Sequence, residues 1–188
     1  MDLARYRDLS FEALNEASLS LLYRWLQQPH IREFYHKKCI PSWEEMRAEY
    51  LQRLNPDWPT RCFLSYSNSI PMGYIQVYRV ADYPEYAAMI GEDHGISLDL
   101  FIGDTDFMGN RWGRLMLLKF LTEVAFPRFH AEDVCWIYHD RLNHRALSAS
   151  QAVGFRHVRE FTEEGDRKEL LVLGRDDAMA LASAVVNG

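Results

Sequence analysis

The chain has 188 residues, 48% of them hydrophobic and 26% charged, with a formal net charge of −6. That length suits one domain, 1–188, able to bury a substantial core. The acidic balance disfavours nucleic acid as a partner and suits a cationic ligand, and no apolar run approaches a membrane span. Asp2, Arg5, Arg7 and Asp8 leave the amino terminus without a signal-peptide core. Three cysteines, Cys39, Cys62 and Cys135, are odd in number and lack metal-ligand spacing. They fit a reducing cytoplasm better than a disulfide framework.

Residues 11–14 read as the end of a first strand. Asn15 then caps a helix to about Gln27, with Leu19, Leu22, Tyr23 and Leu26 at helical spacing, and Pro29 stops it. Ser42-Trp43-Glu44-Glu45 is a capping box ahead of a second helix to about Leu54. Residues 61–67 and 72–80 read as strands joined at Asn68-Ser69, and residues 81–94 as a long polar, aromatic-laced connection of the kind that forms binding lids. An apolar strand, Leu98-Asp99-Leu100-Phe101-Ile102-Gly103, comes next. Residues 112–126 predict a helix closed by Pro127, residues 134–138 a short buried strand, and residues 143–153 a helix ending at Gly154. Residues 169–173 are a late strand, and the Ala-rich residues 176–188 form an extra helix or a tail. The order gives a mixed α/β sheet.

Between the apolar strand and the long helix lies Phe107-Met108-Gly109-Asn110-Arg111-Trp112-Gly113-Arg114. A glycine-bearing turn that opens a helix is a way to build an anion site. The first N–H groups point outward unpaired, and the helix dipole favours negative charge. Downstream stand Asn143-His144-Arg145-Ala146-Leu147 and Gly154-Phe155.

With these residues the chain resembles the GNAT superfamily of N-acetyltransferases. It is most like the aminoglycoside 6'-N-acetyltransferases and the siderophore-precursor N-acyltransferases. The likeness rests on five segments in register: residues 22–35, 42–54, 72–78, 99–113 and 143–155. It implies a splayed central sheet flanked by helices and acetyl-CoA as acyl donor. In the family the donor lies along the strand before the turn, so Leu100, Phe101 and Ile102 would meet it. Met108, Gly109, Asn110, Arg111, Trp112, Gly113 and Arg114 would hold its pyrophosphate, with Asn143 beside it.

Acetyl transfer to an amine needs a group that takes the amine's proton, a polarised thioester carbonyl, and near-attack placement. Asp99 is in register with an aspartate that serves as general base in the aminoglycoside enzymes; the siderophore branch usually has histidine there. Phe34, Tyr35, Gln76 and Tyr78 fall where the family places acceptor-facing residues. The resemblance has three departures. Arg111 replaces a glycine, and Ser150 replaces a tyrosine that protonates the leaving thiolate. Tyr138 stands where the aminoglycoside enzymes carry an acidic residue, so Asp140 would have to substitute. His139 and His144 make no metal pattern, and His30 reads as a capping or packing residue. His94 is an alternative base to Asp99. A cysteine route is disfavoured because Cys135 sits in a core strand and Cys39 and Cys62 have no visible base partner.

The reading is an acetyl-CoA-dependent enzyme acting on a primary amine of a cationic small molecule in a ternary complex, as monomer or homodimer. A hydroxylated lysine or ornithine acceptor is the alternative. An acyl-CoA-binding sensor with weak catalysis is a third reading, from a different class.

Overall fold

In the computed structural model, which describes residues 2–35 and 41–187, a short helix α1 (Leu3–Asp8) feeds β1 (Leu9–Ala13). Asn15 accepts the Ser18 N–H at 3.1 Å and starts the turn that leads into α2 (Leu19–Leu26). Pro29 ends that run but also opens a one-turn helix, α3 (Pro29–Arg32), because its fixed φ suits a first helical position. The capping box forms as expected: Ser42 N–H reaches Glu45 Oε2 at 2.7 Å and Glu45 N–H reaches Ser42 Oγ at 3.2 Å, starting α4 (Trp43–Arg53).

Then come β2 (Arg61–Ser67), β3 (Ile70–Arg79), α5 (Pro84–Ile90) and β4 (Ile96–Ile102). The expected long loop at 81–94 is therefore largely helical. Pro84 sets the first turn and Gly91, at φ 70°, closes it in the left-handed conformation. At seven residues the helix is too short to show a period.

The long helix is also not uniform. It runs as α6 (Trp112–Phe120), a π-helical turn over Leu121–Ala125, and α7 (Phe126–Arg128). Pro127 thus lies inside the final turn rather than ending the helix at 126. The wide turn sends the Phe126 N–H to Leu121 O just where proline withholds its own amide. The rest is β5 (Val134–Asp140), α8 (His144–Val153), β6 (Arg156–Glu163), β7 (Asp166–Gly174) and α9 (Arg175–Asn187). Strand β6 has no counterpart in the sequence reading. It is an edge strand, and its residues are exposed or only half-buried, so no apolar run marks it. The extra carboxy-terminal helix does form, burying Ala178, Ala182 and Val185.

The sheet order is β1-β2-β3-β4-β5-β7-β6. Every pair is antiparallel except β4 and β5, which are parallel and matched at only two positions, Ile96 with Cys135 and Ser97 with Trp136. Beyond Ser97 and Trp136 the two strands part, and a wedge opens toward Ile102. This is the splayed mixed α/β sheet that the resemblance implies.

Alternation along the strands gives the sheet two different faces. On one, Ile75, Val77, Ile96, Leu98, Cys135, Ile137 and Leu171 join Leu118, Phe120 and Ala178 in a continuous core under α6 and α9. The other face is divided. Leu64, Tyr74 and Phe101 pack under α2 and α4 with Leu22, Met46 and Tyr50. Val80, Trp136 and Leu170 pack separately with Ile90 of α5.

Candidate active site

Asp99 lies on the divided face, between the two smaller cores. It stands opposite Gln76 in the β3–β4 register, and Gln76 Nε2 donates to Asp99 Oδ2 at 2.8 Å. Gln76 Oε1 in turn accepts from Arg53 Nη1 and from Tyr74 OH, both at 2.7 Å. Two donors on the amide oxygen leave the amide nitrogen facing Asp99, so the glutamine has one satisfied orientation. Arg53 ends α4, where it also pairs with Glu49 and lies 4.8 Å from the Tyr50 ring centroid. Burial pushes the Asp99 carboxyl above the usual carboxylate range, the Gln76 bond and Arg53 charge hold it down, and Glu163 pushes it up.

Around Asp99 is a chain of rings. Tyr78 lies 4.9 Å from Tyr83 and 5.6 Å from Tyr86, Tyr86 lies 6.1 Å from Tyr138, and Tyr138 lies 5.3 Å from Phe161. Tyr86 OH meets Ser97 Oγ at 2.7 Å. Tyr35 is edge-on to Phe101 at 5.1 Å, and Phe34 beside it is half-buried. Burial raises the hydroxyl pKa of Tyr35, Tyr78, Tyr86 and Tyr138, so all four are neutral donors in the working range.

Tyr138 OH donates to Glu163 Oε1 at 2.9 Å. The carboxylate brought toward Asp99 is therefore Glu163 of β6. Asp140, the expected substitute, is buried instead: Lys168 Nζ meets its Oδ2 at 3.3 Å, and its Oδ1 accepts the Leu142 N–H at 2.9 Å. Lys168 also lies 3.7 Å from Glu163 and 3.8 Å from Asp166.

Backbone groups of β4 line the wedge. Gly103 N–H bonds to Met72 O at 2.9 Å, which makes Gly73–Ile102 a non-hydrogen-bonded pair in the β3 register. Ile102 and Leu100 therefore turn their own N–H and C=O toward the wedge, while Phe101 turns its backbone toward β3. His30 Nε2 lies 3.0 Å from Ile102 O, so His30 ties α3 to this open edge. Gly103 is required there, since a Cβ would fall 2.1 Å from the Trp25 ring. Arg24, Trp25, Gln28, Gly103, Asp104 and Thr105 line a cavity of about 220 Å³ beyond the strand.

The turn before α6 is shaped by two left-handed residues, Gly109 at φ 77° and Arg111 at φ 66°. Arginine in that region costs roughly 1–2 kcal/mol that glycine avoids, which gives the departure at Arg111 a structural meaning. A left-handed residue followed by helical Trp112 turns successive N–H groups toward one concavity, an anion nest. Met108 is half-buried, Gly109, Asn110 and Arg111 are exposed, and the Cβ positions of Gly109 and Gly113 open onto empty space. Arg114 Nε is buried with no hydrogen-bond partner among the described residues. Asn143 is committed to its own helix, its Oδ1 accepting the Ala146 N–H at 3.1 Å.

Ser150 lies on the opposite face, 2% exposed, with its Oγ 2.8 Å from His139 Nε2. Burial lowers the His139 pKa to about 4, so this ring is neutral. His94 is exposed at the closed end of the wedge, against Trp136. Burial pushes up the Cys62 and Cys135 thiols, and Cys39 lies outside the described residues. Among the described residues no group of three metal-ligating side chains forms, and no helix is long and apolar enough to cross a membrane.

Sequence reasoning did not find Glu163, Tyr86 or Arg53; it read His30 as a capping or packing residue, which agrees with its contact to Ile102 O. Glu163 is on the unrecognised edge strand and Tyr86 in the segment read as loop. Arg53 carried no local signal of the partners it meets.

A family model described as an acetyltransferase (GNAT) domain matches residues 15–163. No curated protein matches the sequence. Among solved structures, an aminoglycoside acetyltransferase in complex with coenzyme A aligns with TM-score 0.75 at 18% identity, covering 93% of this chain and 99% of that one. An aminoglycoside N(6')-acetyltransferase from Legionella pneumophila aligns with TM-score 0.72 at 22% identity over 93% and 96%. A spermidine N-acetyltransferase from Vibrio cholerae, in complex with CoA and spermine, aligns with TM-score 0.75 at 12% identity over 92% and 99%. These likenesses are of fold. With the family match over most of its length, the chain belongs to the GNAT acetyltransferases.

Proposed function

We propose that the protein transfers an acetyl group from acetyl-CoA to a primary amine of a cationic small molecule, most like an aminoglycoside, by direct attack in a ternary complex. The observation that carries this reading is Asp99, held by Gln76 and Arg53 beside the wedge and faced by tyrosines and Glu163. Carboxylates and aromatic faces both attract an ammonium group.

The residues suit the donor. Leu100, with the Ile102 N–H, turns backbone groups toward the wedge, and the nest at 109–113 with Arg114 suits a pyrophosphate. Acetyl-CoA supplies the activated acyl group. In the transfer the thioester C–S bond breaks and a C–N bond forms. The amine's proton passes to Asp99, and the sulfur takes a proton from solvent, since Ser150 is buried on the opposite face against His139. A thiol nucleophile is disfavoured at Cys62 and Cys135, since burial keeps both protonated.

The test is free-thiol release from acetyl-CoA with aminoglycosides, polyamines, and lysine and ornithine derivatives. Release with kanamycin-type compounds is expected. Release only with the amino acid derivatives would assign the siderophore-type acceptor instead. Tight acetyl-CoA binding with no thiol release from any amine would sink the enzymatic reading in favour of a sensor.

A further inference from the structure

The turn before α6 is touched from an unexpected quarter. Arg5, on the opening helix α1, donates from Nη1 to the Asn110 carbonyl at 3.1 Å, across 105 residues of sequence. Its guanidinium carbon lies 5.3 Å from the Trp112 ring centroid, and its Nε lies 3.3 Å from Asp2. Helix α1 is itself fixed to α6, because Lys119 Nζ donates to Tyr6 O at 2.8 Å. Arg5 is thus held on both sides, and it grips the two residues that flank left-handed Arg111.

Peptide planarity converts this grip into an orientation. The carbonyl of Asn110 and the N–H of Arg111 belong to one peptide unit and point in opposite directions. With the carbonyl drawn to Arg5, the Arg111 N–H faces away from α1 and joins the N–H groups of Trp112 and Gly113 in the nest. A chain with glycine at 111 would adopt φ 66° without support; arginine there is held against its own preference.

We propose that Arg5 is a positioning residue for the acyl donor. It holds the Asn110–Arg111 peptide so that the turn is preformed for the donor's pyrophosphate. The inference rests on the reading that acetyl-CoA places its pyrophosphate at this turn.

Binding of acetyl-CoA and of acetyl-pantetheine, which lacks the phosphates, tests it in the full-length protein. In Arg5→Met, which keeps the apolar stem and loses the donor, acetyl-CoA affinity should fall about tenfold. Acetyl-pantetheine affinity and turnover at saturating donor should be unchanged. Arg5→Lys should restore affinity to within about threefold by returning a charged donor. In an Arg111→Gly background, where the turn needs no support, Arg5→Met should cost less than about threefold, an interaction between neighbours read by a double-mutant cycle.

Unchanged acetyl-CoA affinity in Arg5→Met would overturn the proposal. So would equal losses for both ligands, which mean general damage to the fold. An undiminished tenfold loss in the Arg111→Gly background would make Arg5 a direct phosphate ligand instead. If the unaltered protein held acetyl-CoA no more tightly than acetyl-pantetheine, the assignment of the turn itself would fail, and the role of Arg5 with it.

Discussion

The two faces of the sheet carry different burdens. Under α6 and α9 the apolar residues of five strands merge into one uninterrupted core. On the other face the apolar residues separate into two clusters, and Asp99, Gln76, Tyr78 and Tyr138 occupy the ground between them. A carboxylate on a buried strand weakens a fold unless something compensates. Here Gln76 and Arg53 compensate only in part, and burial still raises the Asp99 pKa. Apolar packing is continuous on one face, and the proposed site lies where the other face is interrupted.

The largest effect should come from Asp99→Asn, which keeps the shape and the contact with Gln76. Turnover should fall about a hundred- to ten-thousand-fold, the usual contribution of a positioned base, with acetyl-CoA affinity nearly intact. The direction of the pKa shift fixes two further signs. A base must be ionised, so activity is lost as pH falls through a carboxyl pKa that burial holds above the usual carboxylate range. The folded form also binds that proton more tightly than the unfolded chain, so the charge destabilises the fold once pH rises through the folded pKa. The asparagine variant should therefore be more stable at neutral pH, measured by urea unfolding. A variant that loses both activity and stability would show that Asp99 is structural.

The continuous face should respond the opposite way. Phe120 is fully buried, with Phe11 at 5.1 Å and Phe63 at 5.2 Å. Truncating it to alanine should cost about 3–5 kcal/mol of stability while the surviving folded molecules turn over normally. If Phe120→Ala lowered turnover per folded molecule as strongly as stability, the division of labour between faces would be wrong.

A polar pair inside the α6 face gives a pH test of that division. His139 is neutral in the fold, its pKa lowered by burial from 6.5 to about 4. The stability this contributes is complete above 6.5 and is lost as pH falls toward about 4, because the unfolded chain gains a proton that the fold refuses. Allowing for the ring's partial exposure, the loss should be on the order of 2 kcal/mol. His139→Gln does not titrate and should flatten the urea midpoint across this window. An unchanged pH slope in that variant would assign the acid sensitivity elsewhere.

What the sequence disclosed follows the same division. Strands with an apolar face, the capping box at Ser42 and the Gly154 stop were readable because local chemistry dictates them. The glycine turn and Asp99 were readable because both lie in one contiguous segment, residues 99–113. Glu163 was not, because β6 is an edge strand with no buried periodicity to announce it. The Arg53–Gln76–Asp99 chain was invisible for another reason: it joins a helix end to two strands, and only the register brings the three together. Asp140 illustrates the converse. It was named for its charge, but a lysine 28 residues later in sequence claims that charge in the fold.

The finest test of the divided face is Tyr138→Phe. The change removes the hydroxyl that donates to Glu163 at 2.9 Å and leaves the ring between Tyr86 and Phe161. Packing is therefore preserved, and stability should scarcely move. Glu163 keeps Lys168 at 3.7 Å but loses the bond that aims it. A neutral hydrogen bond is worth roughly 0.5–1.5 kcal/mol, so KM for the amine should rise about three- to tenfold with kcat little altered. The rise should be larger for an acceptor carrying two positive charges than for a monoamine, because only the former has a second charge for Glu163 to hold. Equal KM values for both acceptors in the variant would mean that Glu163 balances Lys168 and nothing more. The break in that face would then serve Asp99 alone.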